Sequence, residues 1–198
     1  HSALSNFDRE IIAQVAGDRR ASGVRVLHPA LMFRLFGQFW LGNQAPDFLW
    51  RHTTHARVHV DQSANLGLPD RYTAVKLYTG RALPGTESVQ QSLHRLVESV
   101  ARVRPVVLLE AGFAADEHAD HALARLSNVI RIGDRVTAAT NLAVQTQVIA
   151  GAEQFVGTCG GLAWLAPLLG VPTVALYVDD RLLVTHLTVA RHVYRSLD

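Results

Sequence analysis

From residue 72 onward the chain alternates short apolar runs with segments of helical periodicity, and this alternation most constrains its fold. The runs are YTAVKLY (72–78), PVVLL (105–109), NVIRI (128–132), QFVG (154–157) and PTVALYV (172–178). Within each run apolar residues follow one another instead of alternating with polar ones, which is typical of strands buried on both faces. Burial on both faces predicts a parallel sheet covered by helices.

The segments between and after these runs predict five helices, over residues 86–103, 116–126, 140–150, 161–169 and 183–197. In the first, Leu93 and Val97 fall on one apolar face, Thr86 is a suitable N-cap, and Glu87 lies in the first turn. Strands and helices that alternate through right-handed crossovers predict an α/β fold with a doubly wound, Rossmann-like parallel sheet. Ligands of such sheets bind outside the carboxyl ends of the strands, so the loops after the runs are the candidates for chemistry.

The first 65 residues lack this regular alternation. They read as a short αβα piece followed by a linker, with predicted helices at 5–18 and 29–40, a strand at 24–27 and a short strand at 56–60. We therefore expect residues 1–65 to be part of an N-terminal lobe or a linker piece. Residues 66–198 are expected to form the Rossmann-like domain.

The composition argues against several classes of protein. The net charge of +2 arises from scattered arginines and not from a basic stripe, so we expect no nucleic-acid partner. The single cysteine, Cys159, allows no intramolecular disulfide, which favours a cytoplasmic location. The longest apolar run, at 162–178, is interrupted by Pro167, Gly170 and Pro172. It therefore predicts a helix, a turn and a strand instead of a membrane span.

The sequence GTCGG at 157–161 lies between a predicted strand and a predicted helix. Small residues such as Gly160 and Gly161 let a ligand approach the backbone, and the free N–H groups of a helix N-terminus suit a phosphate. The hydroxyl of Thr158 would add a hydrogen bond. The alternative is a tight turn that only packs the helix on the strand, and the pattern is neither a dinucleotide fingerprint nor a P-loop.

Basic residues follow the first predicted strand. Lys76 is the only lysine in the chain and lies near the end of that strand. A compact positive charge at this place would counter a pyrophosphate, whereas the alternative is a lysine whose stem runs along an exposed edge. Arg81, in the loop that follows, is a second candidate of the same kind.

Acidic residues follow the next two strands. Glu110 comes directly after PVVLL, where a carboxylate would accept hydrogen bonds from ribose hydroxyls, or else would cap a helix or face solvent. Gly133 and Asp134 follow NVIRI. The backbone there would meet the edge of a nucleobase, and Asp134 is either a ligand or a turn residue.

Cysteine nucleophiles and metal sites are not favoured. Cys159 at a helix N-terminus would have a lowered pKa, but no histidine is close in sequence, and a small apolar packing role is expected. The histidine pairs at 52/55 and 118/121 supply two ligands each, fewer than a metal site needs, so these side chains are expected to face solvent. The acidic pair at 179–180 would hold a divalent ion or form a charged loop, and we favour the loop. We expect no metal and no cofactor.

Residues 155–177, FVGTCGGLAWLAPLLGVPTVALY, resemble the donor-binding signature of GT-B glycosyltransferases, most of all the heptosyltransferases and related bacterial sugar transferases. YTAVKLY, PVVLLEAG and NVIRIGD fall in the expected order, so the resemblance covers roughly residues 66–198. It implies a C-terminal, nucleotide-sugar-binding lobe of an enzyme that transfers a sugar without a metal. The chain departs from the heptosyltransferases at two positions, with Gly157 in place of an aspartate and Trp164 near the place of a histidine.

The resemblance also implies roles for individual residues around the nucleotide-sugar donor. The phosphate-binding group would be Lys76, Arg81, Thr158, Cys159, Gly160 and Gly161. The nucleoside-binding group would be Glu110, Gly133 and Asp134. The catalytic base stays unassigned, because in GT-B enzymes it usually comes from the N-terminal lobe, and residues 1–65 supply only the end of one. The acceptor is also unassigned, and a partner lobe and peripheral membrane association are left open.

Other interpretations stay open beside this one. A nucleotide-sugar epimerase on the same two-lobed fold needs acid and base residues across the cleft, and this chain offers few. A non-catalytic or incomplete nucleotide-sugar-binding module needs none. A response regulator would need an acidic pair at an early strand end with a downstream lysine, and a flavodoxin would need a phosphate loop after the first strand. The chain has neither pattern.

Overall fold

A computed structural model describes residues 57–60, 66–111, 119–179, 181 and 184–197, and individually residues 9, 13, 17, 47 and 51. The chain divides into two compact units, His1–His52 and Thr53–Asp198. In the first unit Arg9, Ala13 and Gly17 are helical, in agreement with the predicted helix at 5–18. The predicted strand at 24–27 and helix at 29–40 lie outside the described residues, and the predicted boundary between residues 65 and 66 stays a prediction.

The second unit contains a five-stranded sheet in which every neighbouring pair is parallel. Its strands are β1 (Thr73–Lys76), β2 (Val106–Leu108), β3 (Val129–Arg131), β4 (Gln154–Thr158) and β5 (Thr173–Leu176). Their order across the sheet is β3-β2-β1-β4-β5. The predicted doubly wound, Rossmann-like fold is therefore confirmed, with each strand placed inside or within one residue of its predicted run.

Helices follow β1, β3, β4 and β5 along the chain. They are α1 (Glu87–Val103), α2 (Asn141–Ala150), α3 (Gly161–Leu168) and α4 (Val184–Leu197), with a short 3-10 turn at Gly133–Arg135. The predicted N-cap of α1 is confirmed, because the side chain of Thr86 accepts a hydrogen bond from the Val89 N–H at 3.4 Å. None of the helices in the described part of the chain has the length and hydrophobicity of a membrane span.

The continuous apolar runs are explained by a core on each face of the sheet. Ala74, Val107 and Phe155 belong to one core, which also contains residues of α2 and α3. The residues next to them in each strand, Val75, Val106, Leu108 and Val156, belong to the other core, which contains Leu93 and Val97 of α1. Neighbouring residues of a strand point to opposite faces, so each face of these strands requires its own apolar side chains.

Two predicted elements are wrong. The helix predicted at 116–126 does not form over residues 119–126, where the chain instead pairs with the segment after β1 through an antiparallel bridge between Tyr78 and Asp120. Leu123 is buried and Leu126 partly buried in the α1-side core, so their spacing reflects contact with that core and not a helix. The second is the strand predicted at 56–60, because its described residues, 57–60, do not form a strand. Residues 57–60 instead contact helix ends, with the Val58 N–H donating to the Leu168 carbonyl at 2.7 Å.

A proline fixes the packing of α3 against α4. Pro167 lies inside α3 and has no N–H, so the carbonyl of Ala163, four residues earlier, has no helical donor. The hydroxyl of Tyr194 in α4 donates to this carbonyl at 2.9 Å. Burial of this tyrosine raises its pKa to about 12, so the hydroxyl keeps its proton over the physiological range. The bond attaches α4 to the helix whose N-terminus faces the candidate site.

Candidate functional site

The topology places the candidate site where the strand order reverses. After β1 the chain adds β2 and β3 on one side, then crosses to place β4 and β5 on the other. The carboxyl ends of β1 and β4 are therefore neighbours, with Lys76 paired to Gly157 in the register. Open parallel sheets bind ligands at this kind of reversal, outside the carboxyl ends of the strands.

The three glycines of the GTCGG turn have different surroundings. A Cβ at Gly157 would lie 2.6 Å from the ring of Phe155 and 2.9 Å from the Lys76 carbonyl, so packing alone explains this glycine. A Cβ at Gly160 would clash with the hydroxyl of Tyr78. At Gly161 a Cβ would meet no atom within 4 Å. The turn therefore both packs tightly and leaves open space at the first residue of α3.

The N-terminus of α3 opens at this turn. Gly160 is its cap residue and has no side chain that could accept from the first N–H groups of the helix, and the first turn holds no acidic residue. Unsatisfied N–H groups and the helix dipole give such an end a partial positive charge. The arrangement suits an anionic group that enters the open space beside Gly161.

Thr158 is in the predicted place, but its hydroxyl has partners within the chain. The residue is 2 % exposed. Its Oγ1 accepts from the Tyr78 N–H at 2.9 Å and donates to the Tyr78 carbonyl at 3.1 Å. The hydroxyl thus ties the end of β4 to the segment after β1, and its predicted contact with phosphate stays a prediction.

Lys76 ends β1 at the reversal, as predicted, and it is not extended along an exposed edge. Its Nζ lies 2.6 Å from Oδ1 of Asp120, and the lysine side chain is 12 % exposed. The other carboxylate oxygen of Asp120 accepts from the Ala111 N–H at 3.0 Å. An anionic ligand that bound the Lys76 ammonium group would have to share it with the Asp120 carboxylate or displace that carboxylate. Asp120 is a site residue that the sequence analysis missed, since it lies inside a wrongly predicted helix.

The loop after β1 extends across the end of β4 to the segment that follows β5. Within the loop the Gly80 N–H donates to the Leu83 carbonyl at 3.0 Å, and the Ala82 carbonyl accepts from the Val178 N–H at 2.9 Å. Ala82 and Leu83 are buried, whereas Arg81, which directly precedes them, is exposed. Arg81 is therefore held near the reversal with its side chain directed to solvent, where an anion would find it accessible.

The predicted nucleoside-binding residues lie on the other side of the reversal, after β2 and β3. Glu110 forms an ion pair with Arg131, the last residue of β3, and Arg131 also donates to the Leu123 carbonyl at 2.7 Å. Gly133 and Asp134 form the 3-10 turn, with Asp134 exposed. The phosphate-binding candidates at β1 and β4 and the nucleoside-binding candidates at β2 and β3 thus share the same edge of the sheet.

The remaining predictions concern the cysteine, the acidic pair and the histidines. Burial raises the pKa of the half-buried Cys159 thiol, so this thiol is protonated at neutral pH and is a poor nucleophile. Asp179 pairs with Arg181 at 2.8 Å, as expected for a charged loop. His121 is 2 % exposed, so the expectation that it faces solvent is wrong. Within the described ranges no group of three or more metal-ligating side chains occurs.

A separate concavity lies at the opposite edge of the sheet, beside the start of β5. It has a volume of about 290 Å³, and residues that line it include Arg57, Gly170, Pro172, Thr173 and Tyr194. The guanidinium of Arg57 donates to the Leu197 carbonyl at 3.0 Å, and the Thr173 hydroxyl donates to the Val171 carbonyl at 2.8 Å. These polar groups already have partners, so we place the candidate site at the reversal.

Comparison of the chain with protein-family models, with curated proteins and with solved structures finds no significant match.

Proposed function

We propose that the second unit is the nucleotide-sugar-binding lobe of a GT-B-type glycosyltransferase and that it holds the donor diphosphate at the N-terminus of α3. The observation that carries the proposal is the junction of β4 and α3. This junction lies at the reversal of strand order, its cap residue is Gly160, and open space adjoins Gly161. A helix N-terminus in this setting is a common site for phosphate.

The GT-B-like segment supports the proposal through its arrangement. Residues 155–177 fall on β4, α3 and β5 in that order, joined by the turns that the resemblance requires. The small residues of the segment coincide with the tight turn, and the LGVPTVALY part, residues 169–177, coincides with the turn after α3 and with β5.

The chemistry of such a lobe is mainly electrostatic. In a sugar transfer the nucleoside diphosphate leaves with added negative charge, and fixed backbone N–H donors at α3 would stabilise it without a metal ion. Exposed Arg81, in the loop after β1, would assist. Lys76 would assist once a ligand phosphate competes with Asp120 for its ammonium group. The acceptor and the catalytic base would come from outside the second unit, and we propose a cytoplasmic location.

One observation favours a second candidate, a non-catalytic nucleotide-sugar-binding module. Lys76, Thr158 and Glu110 each have a partner inside the chain, so the site has few polar side chains committed to catalysis. Both candidates bind a nucleotide sugar. Only the glycosyltransferase would release nucleoside diphosphate from the bound donor when an acceptor is supplied.

A thermal-shift screen against nucleoside diphosphates and their sugars, with and without Mg²⁺, tests the proposal. A ligand at one hundred times its Kd stabilises the folded state by about 2.7 kcal/mol, which corresponds to a rise of about 5–10 °C in Tm for a chain of this size. A rise with one nucleotide series would identify the base.

Gly161→Asp separates loss of binding from loss of folding. The new side chain enters open space, and its charge interacts favourably with the N-terminus of α3, so the Tm of the free variant should be unchanged or slightly higher. The same charge repels a diphosphate, so the ligand-induced rise should disappear. Val103→Asp is the charge-matched control, since Val103 is 84 % exposed at the opposite edge of the sheet. Equal ligand-induced shifts in both variants would contradict the proposal.

A further inference from the structure

Residues 119–121, which we call the strap, close over the carboxyl end of β1. The Thr79 N–H donates to the Ala119 carbonyl at 2.8 Å, and the His121 N–H donates to the Leu77 carbonyl at 2.9 Å. The ion pair between Lys76 and Asp120 attaches the strap to β1 by a side chain. The strap is thus held by a few specific bonds and not by helical structure.

The strap contains a buried imidazole that has no hydrogen-bonding partner in the described part of the chain. His121 is 2 % exposed, and among the described residues neither ring nitrogen makes a hydrogen bond. Burial lowers the pKa of His121. The backbone of Leu83 and the carboxylate of Asp120 act in the opposite direction, but the contact with Leu83 does not have hydrogen-bond geometry. The closed strap therefore favours the neutral form of the ring.

Among the described residues, the charges near the ring offer little compensation for an imidazolium. Asp120 is the neighbouring carboxylate, and it is already paired with Lys76 and with the Ala111 N–H. From the loop after β1, Leu83 is buried against this region while Arg81 is exposed to solvent. Leu77, Leu83 and Leu123 belong to a core that also contains apolar residues of α1. A positive charge on the buried ring would be poorly solvated.

We propose that His121 makes closure of the strap sensitive to pH, with the strap paired to residues 77–79 when the ring is neutral and released when the ring is protonated. Release separates Asp120 from Lys76 and leaves the lysine ammonium group at the carboxyl end of β1 without its internal counter-ion. The proposal concerns the strap alone and does not depend on the ligand assigned to the site.

The direction and size of the effect follow from proton linkage. Released His121 titrates near its ordinary pKa of 6.5, and the closed form has a lowered pKa. The closed state is therefore fully favoured above pH 6.5 and becomes less favoured as the pH falls toward the lowered value. Within that window the ratio of open to closed strap rises by up to tenfold per pH unit.

Amide hydrogen exchange on the whole chain measures this ratio. The intrinsic rate of each amide is divided by the rate observed at the same pH, which gives its protection factor. We expect protection of the Thr79 amide and of the amide at position 121 to fall by up to tenfold per pH unit below 6.5, while protection of the Phe155 amide in β4 stays constant. His121→Leu should abolish the pH dependence. The control His59→Leu, at an exposed histidine, should retain it.

Three results would overturn the proposal: the same pH dependence in His121→Leu as in the wild type, constant protection of the strap amides in the wild type, or a parallel loss of protection at Phe155. If His121→Leu does not fold, an NMR titration of the wild-type imidazole decides. A His121 pKa below 6.5 together with pH-dependent strap protection supports the proposal, and a pKa at or above 6.5 refutes it.

Discussion

Removal of the Tyr194 hydroxyl should destabilise the second unit, because a backbone carbonyl would lose its donor. Pro167 leaves the Ala163 carbonyl without a helical partner, and Tyr194 supplies one at 2.9 Å. Ala163 is 1 % exposed, so water cannot readily replace the hydroxyl. Loss of a neutral hydrogen bond costs about 0.5–1.5 kcal/mol, and a buried acceptor left without a partner costs about 1–3 kcal/mol. We expect Tyr194→Phe to lower the free energy of unfolding by about 1–2 kcal/mol.

The cause can be isolated by a second substitution. Pro167→Ala restores an N–H at position 167, which can donate to the Ala163 carbonyl in the ordinary helical manner. In this background Tyr194→Phe should cost less than about 0.5 kcal/mol, so the two substitutions should show a coupling energy of about 1 kcal/mol.

Urea denaturation followed by circular dichroism gives the four free energies of unfolding of this cycle. Tyr177→Phe is the control, because Tyr177 is 39 % exposed and its substitution should change stability by less than about 0.5 kcal/mol. If Tyr194→Phe lowers the free energy of unfolding equally in both backgrounds, the explanation is refuted. The stabilising effect of the hydroxyl would then not depend on the carbonyl that Pro167 leaves without a donor.

Two further predictions concern packing and pH. Gly157→Ala should cost at least about 2 kcal/mol in urea denaturation, because its Cβ would lie 2.6 Å from the Phe155 ring in a buried strand; a near-neutral effect would refute the packing explanation. Arg71 and Arg104 lower the pKa of Glu153 below 4.5, so its contribution to stability is present above pH 4.5 and is lost as the pH falls through the lowered value. The stability difference between wild type and Glu153→Gln should therefore shrink at acid pH, and a difference independent of pH would contradict this.

The architecture was predictable because burial on both faces leaves a strong signal in the sequence. Each continuous apolar run became a parallel strand, and α1 began at its predicted cap, Thr86. The failure at 116–126 has a physical cause. An irregular segment that places Leu123 and Leu126 against a core has the same apolar spacing as a helix, and only its tertiary pairing with residues 77–79 distinguishes the two.

The location of the candidate site was predictable for a related reason. Carboxyl ends of parallel strands meet at one edge, so Lys76 and the GTCGG turn had to be neighbours once β1 and β4 were adjacent. Their partners were not predictable, because they depend on how distant segments cross that edge. Thr158 bonds to Tyr78, 80 positions away, and Lys76 pairs with Asp120 in the strap. The same crossing buries His121, whose side chain was expected from the sequence to face solvent.

An ¹H–¹⁵N NMR titration with the nucleoside diphosphate that gives the largest thermal shift would show whether α3 receives a diphosphate at its N-terminus. We expect the largest chemical-shift changes at the amides of residues 161–163, with smaller changes at Arg81 and at residues 133–135. Changes centred on the concavity near Arg57 and Gly170, with the amides of 161–163 unmoved, would contradict this expectation.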